Sequence, residues 1–226
     1  MYRVEDKYTC STQEMYQLQQ RLGVVLPVDS NEDSTEGYSV VSLYFDDLVD
    51  TCLTDTVDGC EVRNKYRIRI YNHSFDTIKL EVKEKLDNRI NKKSKSITEA
   101  QMRKLMCGEC IEDDCSMEDP ATLFNLAIKT RGLKPKVVVA YERKAFVYQA
   151  GNVRITLDRN VRASNRINDF GKKEGCYDWL REWDAVLEVK YDELIPGFLL
   201  QLLELGNLQQ TSYSKYQLCR ERCGEI

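Results

Sequence analysis

The stretch KYRIRIY, Lys65 to Tyr71, places a cation at every second position (Lys65, Arg67, Arg69) and an apolar or aromatic residue (Tyr66, Ile68, Ile70) between them. Successive side chains of an extended strand point to opposite faces. The segment therefore predicts a strand with one hydrophobic face and a row of three positive charges on the other.

The same pattern recurs along the chain. In TIKLEVKEK (Thr77 to Lys85), Lys79, Glu81, Lys83 and Lys85 share a face opposite Leu80 and Val82. Tyr141 and Arg143 share one in KVVVAYERKAFVYQ (Lys136 to Gln149), and Arg154, Thr156 and Asp158 in VRITLD (Val153 to Asp158). Glu188 and Lys190 do so in AVLEVKY (Ala185 to Tyr191), and Glu5 and Lys7 in RVEDKY (Arg3 to Tyr8). For any one strand, a polar face turned to water is the simplest account. For the set, two features point elsewhere. Arginine, the side chain suited to forked phosphate binding, dominates several of these faces, and tyrosines and isolated acids sit among the bases. The arrangement they suggest is an α+β fold: an antiparallel sheet closed into a barrel-like tunnel, charged inside, with helices packed outside. Gathering so many cations is costly unless a polyanion neutralises them, so the expected ligand is a chain of phosphates. Glu188, and with it Glu5, would offer hard oxygen ligands to a divalent metal.

The 226 residues, 42% hydrophobic and 31% charged, fit one domain, 1–226, without repeat or linker. A net charge of −4 argues against a nucleic-acid partner, yet charge is unevenly placed: Asp29 to Asp58 is rich in acids and Lys65 to Lys95 in bases. That points to a localised anion site. The opening MYRVEDKYTC is no signal core, and IPGFLLQLLEL from Ile195 is too short to span a bilayer. A cytoplasmic protein with no membrane segment is expected. The nine cysteines are then reduced thiols. The cluster Cys107, Cys110 and Cys115, with Cys219 or Cys223, is too irregular for the paired spacing of structural zinc.

Helices are expected from Ser11 (capping box with Glu14), from Thr98, from Asp119-Pro120 to Gly132, from Pro196 to near Gly206, and after Ser214. VVSLYF (Val40 to Phe45) reads as a further strand, and Asp87-Asn88 and Ala150-Gly151-Asn152 as hairpin turns. Arg159 to Asp178, with Gly171 and Gly175, reads as a mobile loop. Trp179 and Trp183 are expected to pack a helix or its cap rather than to stack on adenine, and His73 to be exposed.

Eight short motifs in order resemble the VTC domain, the polyphosphate polymerase domain of the vacuolar transporter chaperone group within the triphosphate-tunnel (CYTH-like) superfamily. They are RVEDKY, SLYFD (Ser42 to Asp46), Asp58-Gly59 through KYRIRIY, LEVK (Leu80 to Lys83), YERKAF (Tyr141 to Phe146), RITLD (Arg154 to Asp158), LEVK (Leu187 to Lys190) and SKY (Ser214 to Tyr216). The resemblance implies transfer of the ATP γ-phosphate to a growing inorganic polyphosphate chain, with Mn²⁺ or Mg²⁺. By motif, Arg67, Arg69, Lys83 and Arg154 would be catalytic. Lys7, Lys93, Tyr141, Arg143, Lys190, Ser214 and Lys215 would bind phosphate, and Glu188 and Glu5 metal. In RINKKSK, Arg89 and Lys92 rival Lys93. Asp158 and Glu81 read as ion-pair partners of tunnel cations. Arg3 stands where tunnel triphosphatases typically carry the first acid of E-x-E-x-K, which favours the polymerase branch. The resemblance extends to the catalytic domain alone, with no SPX regulatory domain or transmembrane segment read in the sequence, so coupling of synthesis to translocation is not implied and an unidentified membrane or regulatory partner stays open. A tunnel triphosphatase and a non-catalytic polyphosphate-binding module are the competing readings.

Overall fold

The computed structural model describes residues 3–29, 37–87, 89–180, 185–204 and 207–224. Eight strands carry the architecture: β1 (Arg3–Cys10), β2 (Tyr38–Asp46), β3 (Val62–Tyr71), β4 (Ser74–Leu86), β5 (Arg89–Ile97), β6 (Lys134–Tyr148), β7 (Val153–Ser164) and β9 (Ala185–Tyr191). Each pairs antiparallel with its neighbours in the order β1-β5-β4-β3-β2-β6-β7-β9, and β9 returns to β1, so the sheet closes on itself. Two dipeptide strands, β8 (Asp178–Trp179) and β10 (Gln209–Gln210), lie along β7 and β1. The closure is uneven. β1 pairs with β9 from Val4↔Tyr191 to Cys10↔Ala185, but with β5 only at Arg3↔Ile90 and Val4↔Arg89.

Six α-helices are described: α1 (Thr12–Val25), α2 (Thr51–Val57), α3 (Glu99–Met106), α4 (Pro120–Arg131), α5 (Gly197–Leu203) and α6 (Lys215–Arg222). Their ends follow local chemistry. Ser11 and Thr98 form full capping boxes with Glu14 and Gln101, Asp119 caps α4 with Pro120 at its first turn, and Gly132 ends it at φ +67°.

The apolar cores lie outside the barrel. Ile68 and Ile70 of β3, Leu80 and Val82 of β4, and Leu43 and Phe45 of β2 pack against Leu53, Met102, Leu105 and Phe124 of the helices. Ile155, Leu157, Leu187 and Val189 form a second cluster beneath Met15, Leu18 and Leu22 of α1 and Leu199 and Leu203 of α5. Because strand side chains alternate, putting the apolar faces outward forces every other residue into the lumen. This is the expected charged-interior tunnel with helices outside.

Several local expectations need correction. RINKKSKSI, for which the sequence sets no strand bounds, forms β5, the second strand of the hairpin expected at Asp87-Asn88. Both of its faces are polar: outward Asn91, Lys93 and Lys95 bond Glu84 and Asp119, so no alternation is visible. Arg159 to Asp178 is folded: β7 runs to Ser164, whose hydroxyl donates to Asp169 at 2.9 Å, and the Tyr177 hydroxyl donates to the Asp169 carbonyl. Trp179 lies on β8 with Arg162 5.5 Å from its ring centre, not on a helix; Trp183 falls outside the described residues, as do Asn88 and Gly206. His73 is half-buried in the β3–β4 turn, where Asn72 and His73 both take positive φ. Gly37, leading into β2 at φ +101°, has no room for a side chain, since a Cβ there would lie 2.2 Å from the Arg143 carbonyl oxygen.

Candidate functional site: the cationic lumen

Cations from six strands and α6 share the lumen, and the buried carboxylates Glu81, Asp158 and Glu5 each serve more than one of them. Glu81 of β4, 1% exposed, takes Arg67 Nε at 2.7 Å, Lys92 Nζ at 2.9 Å and Arg69 Nη1 at 3.7 Å. Asp158 of β7 accepts a two-pronged Arg143 guanidinium at 2.6 and 2.7 Å and Lys215 Nζ at 2.7 Å. Glu5 of β1 meets Lys83 at 2.7 Å and Lys7 and Lys190 at 3.4 Å, while Glu188 of β9 holds Lys190 at 2.5 Å. Tyrosines and serines complete the wall. Arg67 donates to the Tyr44 hydroxyl at 2.9 Å; Arg69 donates to Ser42 at 3.0 Å and to Tyr141 at 3.2 Å.

Register explains why like charges meet. Lys65, Lys83 and Lys92 face one another across adjacent rungs of β3, β4 and β5. Directly opposed like charges destabilise a sheet unless something between them compensates. Lys65 has no carboxylate within ion-pair distance among the described residues, and its ammonium donates to Ser214 Oγ at 2.8 Å. Burial, then Lys7 and Lys83, hold its pKa well below the ordinary lysine value.

Ser214 caps α6, its oxygen also accepting from the Gln217 N–H at 3.3 Å, so its own proton is left for an incoming acceptor. The helix is anchored beyond the lumen. Tyr216 stacks on Tyr44 and donates to buried Asp46 at 2.5 Å, and fully buried Arg220 donates to the Tyr216 hydroxyl at 2.8 Å. Asp46 in turn accepts from the Cys52 and Leu53 N–H groups that open α2. One buried carboxylate thus ties α2 and α6 to the end of β2 and fixes Ser214 and Lys215 at the lumen.

Of the residues singled out by sequence, the lumen brings together Lys7, Arg67, Arg69, Lys83, Tyr141, Arg143, Glu188, Lys190, Ser214 and Lys215, with Glu5 against Lys83. Arg154 stands at the rim, ion-paired to Asp29 and bonded to the Tyr38 hydroxyl at 3.1 Å. Lys93 is a correction. It sits on the outer face opposite Val82, bonded to Glu84 and the Met117 carbonyl, whereas its rival Lys92 faces inward opposite Lys83. Arg89 pairs with Val4 at the seam. Lys65, Tyr44 and Tyr216 line the inner space without having been assigned a role from sequence. Lys65 was visible in the opening alternation; Tyr44 was hidden in a hydrophobic run.

Electrostatics keeps these acids ionised. Burial alone would raise the pKa of Glu188, but Lys190, Lys7 and Lys83 override it and hold the group well below its usual range. Glu5 is held down in the same way, against burial and the nearby Glu188 charge, by Lys83 and Lys190. Two ionised carboxylates on adjacent strands suit a divalent cation that draws its remaining ligands from phosphate oxygens and water, as Mg²⁺ does. Among the described residues no group of three or more His, Cys, Asp or Glu side chains could hold a metal ion. Arg3 pairs with Asp192 at 3.0 Å and offers no further acid.

Burial outweighs Glu5 at Lys83 and brings its pKa down to about 7. Below about pH 7 the lysine is protonated in folded and unfolded chains alike. Between about 7 and the ordinary 10.5 only the unfolded chain keeps the proton, so this group makes the ligand-free protein more stable as pH rises through that window. Anion binding runs the other way, because phosphate favours the charged amine. A phosphate anion held by this amine should bind less tightly above about pH 7, with proton uptake on binding visible in calorimetry across buffers of different ionisation enthalpy, inorganic triphosphate serving as the probe. Lys83→Arg should flatten both dependences.

The sequence profile of the VTC domain family matches residues 2–223. No curated protein sequence matches the chain. Among solved structures, PH1819 from Pyrococcus horikoshii is similar at 17% identity and a TM-score of 0.51, covering 97% of this chain and 99% of that one. A candidate adenylate cyclase from Bacillus halodurans aligns at 11% identity and a TM-score of 0.56 over 94% and 93% of the two chains. A candidate adenylyl cyclase from Hippeastrum with a dominant triphosphatase activity aligns at 13% and 0.54 over 97% and 95%. At these identities the likeness is one of fold.

Proposed function

The chain belongs to the VTC domain family, and from that premise we propose that it is a polyphosphate polymerase that moves the γ-phosphoryl group of ATP onto the end of an inorganic polyphosphate chain. The observation that carries this reading is the surplus of inward cations over carboxylates in one lumen, with Lys65, Lys83 and Lys92 opposed across neighbouring strands.

The chemistry asks little of a protein base. A terminal phosphate oxygen of the acceptor, already ionised, forms the new P–O bond as the β–γ bridging bond breaks, and the electron pair leaves on ADP. The obstacle is repulsion between two polyanions, which alignment and fixed positive charge remove. Arg67 and Arg69, held flat by Tyr44, Ser42 and Tyr141, present forked donors to the phosphates. Lys83 and Arg154 would stabilise the group in transfer, Arg154 from the rim. Tyr141, Ser214, Arg143, Lys215, Lys7, Lys190 and the inward Lys92 orient the chain. Glu5 and Glu188 would hold Mn²⁺ or Mg²⁺, which would supply further charge neutralisation to the phosphates.

Incubation with ATP and Mn²⁺, followed by sizing of the products on a gel, tests the reading. Long chains are the expected result, and free phosphate alone would overturn it in favour of a triphosphatase. That second reading rests on the fold shared with the Hippeastrum protein and on the same carboxylate pair.

A further inference from the structure

The inner lumen opens into a much larger cleft of about 570 Å³, and Lys7, Lys65, Lys83 and Ser214 line both. The cleft exists because of the uneven seam. Past Val4, β1 leaves β5 and follows β9, so the inward faces of β3, β4 and β5 stay uncovered there. Two further cations point into this space. Arg63 and Lys85 face each other on the rung of β3 and β4 next to the Lys65–Lys83 rung, about 7 Å along the strand. Neither has a carboxylate within ion-pair distance among the described residues; Arg63 donates to the Cys60 carbonyl at 3.1 Å. The acids on the cleft wall are already engaged, Glu5 by Lys83 and Asp6 by the Tyr191 hydroxyl at 2.9 Å.

Two successive like-charged rungs, compensated by a single shared carboxylate, are an unfavourable arrangement for a sheet unless an anion lies along them. The geometry also says which kind of anion. Among the described residues Tyr213 is the one aromatic side chain lining the cleft, and Lys215 already sits 5.5 Å from its ring centre, so it is not a free platform for a base. The two rungs instead continue the line of Arg67 and Arg69 out of the lumen.

We propose that Arg63 and Lys85, with Lys65, form a second anion subsite that grips the stretch of a linear phosphate chain extending beyond the lumen, so that the protein selects long chains over short ones. This rests on the reading of the lumen as a polyphosphate site and adds a chain-length preference to it. The subsite acts on parts of the chain remote from the transferring phosphate, and it would hold a growing product between successive transfers.

The test is direct binding, by calorimetry or competition, of inorganic triphosphate and of long-chain polyphosphate to the wild type and to Arg63→Gln/Lys85→Gln. Long-chain affinity should fall roughly tenfold or more, and the slope of its logarithm against that of salt concentration should shrink by about one to two. Triphosphate affinity should change by less than about twofold. A reverse variant, Gln210→Arg, adds a cation on the cleft wall and should tighten long-chain binding alone; it keeps the question open to measurement if the double variant melts early. Equal losses for both anions, an unchanged long-chain affinity in the double variant, or equal displacement by a single-stranded oligonucleotide of matched charge would each overturn the subsite. A wild type that binds neither anion would instead overturn the polyphosphate reading of the lumen.

Discussion

Replacing Arg67 and Arg69 together by alanine is expected to leave a folded protein that makes no detectable polymer from ATP. Arginine clamps on transferring phosphoryl groups are worth about a thousandfold or more in rate, and two are removed here. The fold should survive because Glu81 keeps Lys92 at 2.9 Å and because the outward neighbours Tyr66, Ile68 and Ile70 still fill the core under α4 and the other helices. Tyr44, Ser42 and Tyr141 lose their guanidinium partners, and the space left by two arginine side chains is large enough to admit water to them. Circular dichroism and a melting curve would establish folding, and gel sizing of the product would report activity. Arg67→Lys/Arg69→Lys sharpens the point, since it retains both charges and removes only the planar forks. Its activity should lie between the wild type and the alanine pair. Full polymer synthesis by the folded alanine pair would remove these arginines from the reaction.

The same two arginines show what a sequence can disclose. Their inward direction followed from a period of two and a neighbouring apolar set, because only one face of β3 could be buried beneath helices. Lys83, Arg143 and Glu188 were legible for the same reason. Where that asymmetry is missing, the reading failed. β5 is polar on both faces, so nothing in RINKKSK fixes which of two adjacent lysines points inward; only the rung that sets Lys92 against Lys83 decides it. Tyr44 and Asp46 were given no role because β2 is buried on both faces and its mostly apolar sequence shows no clean alternation. Contacts between distant parts of the chain were out of reach of local pattern altogether. Lys215 reaches Asp158 and Lys65 reaches Ser214 only once α6 is docked on Asp46 through Tyr216 and Arg220. The resemblance supplied Ser214 and Lys215; alternation could not have.

So much positive charge in one lumen needs buried counter-ions, and Glu81 is one of the two carboxylates among the described residues that each engage three cations. It is almost fully buried, and Arg67, Arg69 and Lys92 all converge on it. Those cations hold its pKa well below the usual carboxylate value against the upward push of burial. Glu81→Gln conserves shape and hydrogen-bonding reach while deleting the charge, which leaves three cations with no acid between them. Breaking a buried ion pair from one side costs roughly 3–5 kcal/mol, so the melting temperature should drop by about 6–20 °C at this chain length. If Glu81 is a stand-in for phosphate, inorganic triphosphate should return most of the loss, because its oxygens can occupy the vacated position and a site with one negative charge fewer binds a polyanion more tightly. A ligand at a hundred times its Kd stabilises by about 2.7 kcal/mol, enough to recover at least half the deficit, and the triphosphate-induced shift should be larger in Glu81→Gln than in the wild type. Differential scanning fluorimetry with and without triphosphate measures both shifts in one experiment. A variant that loses stability but gains no more from triphosphate than the wild type would make Glu81 a purely structural counter-ion, and the lumen would then not be a site whose charge balance is completed by phosphate.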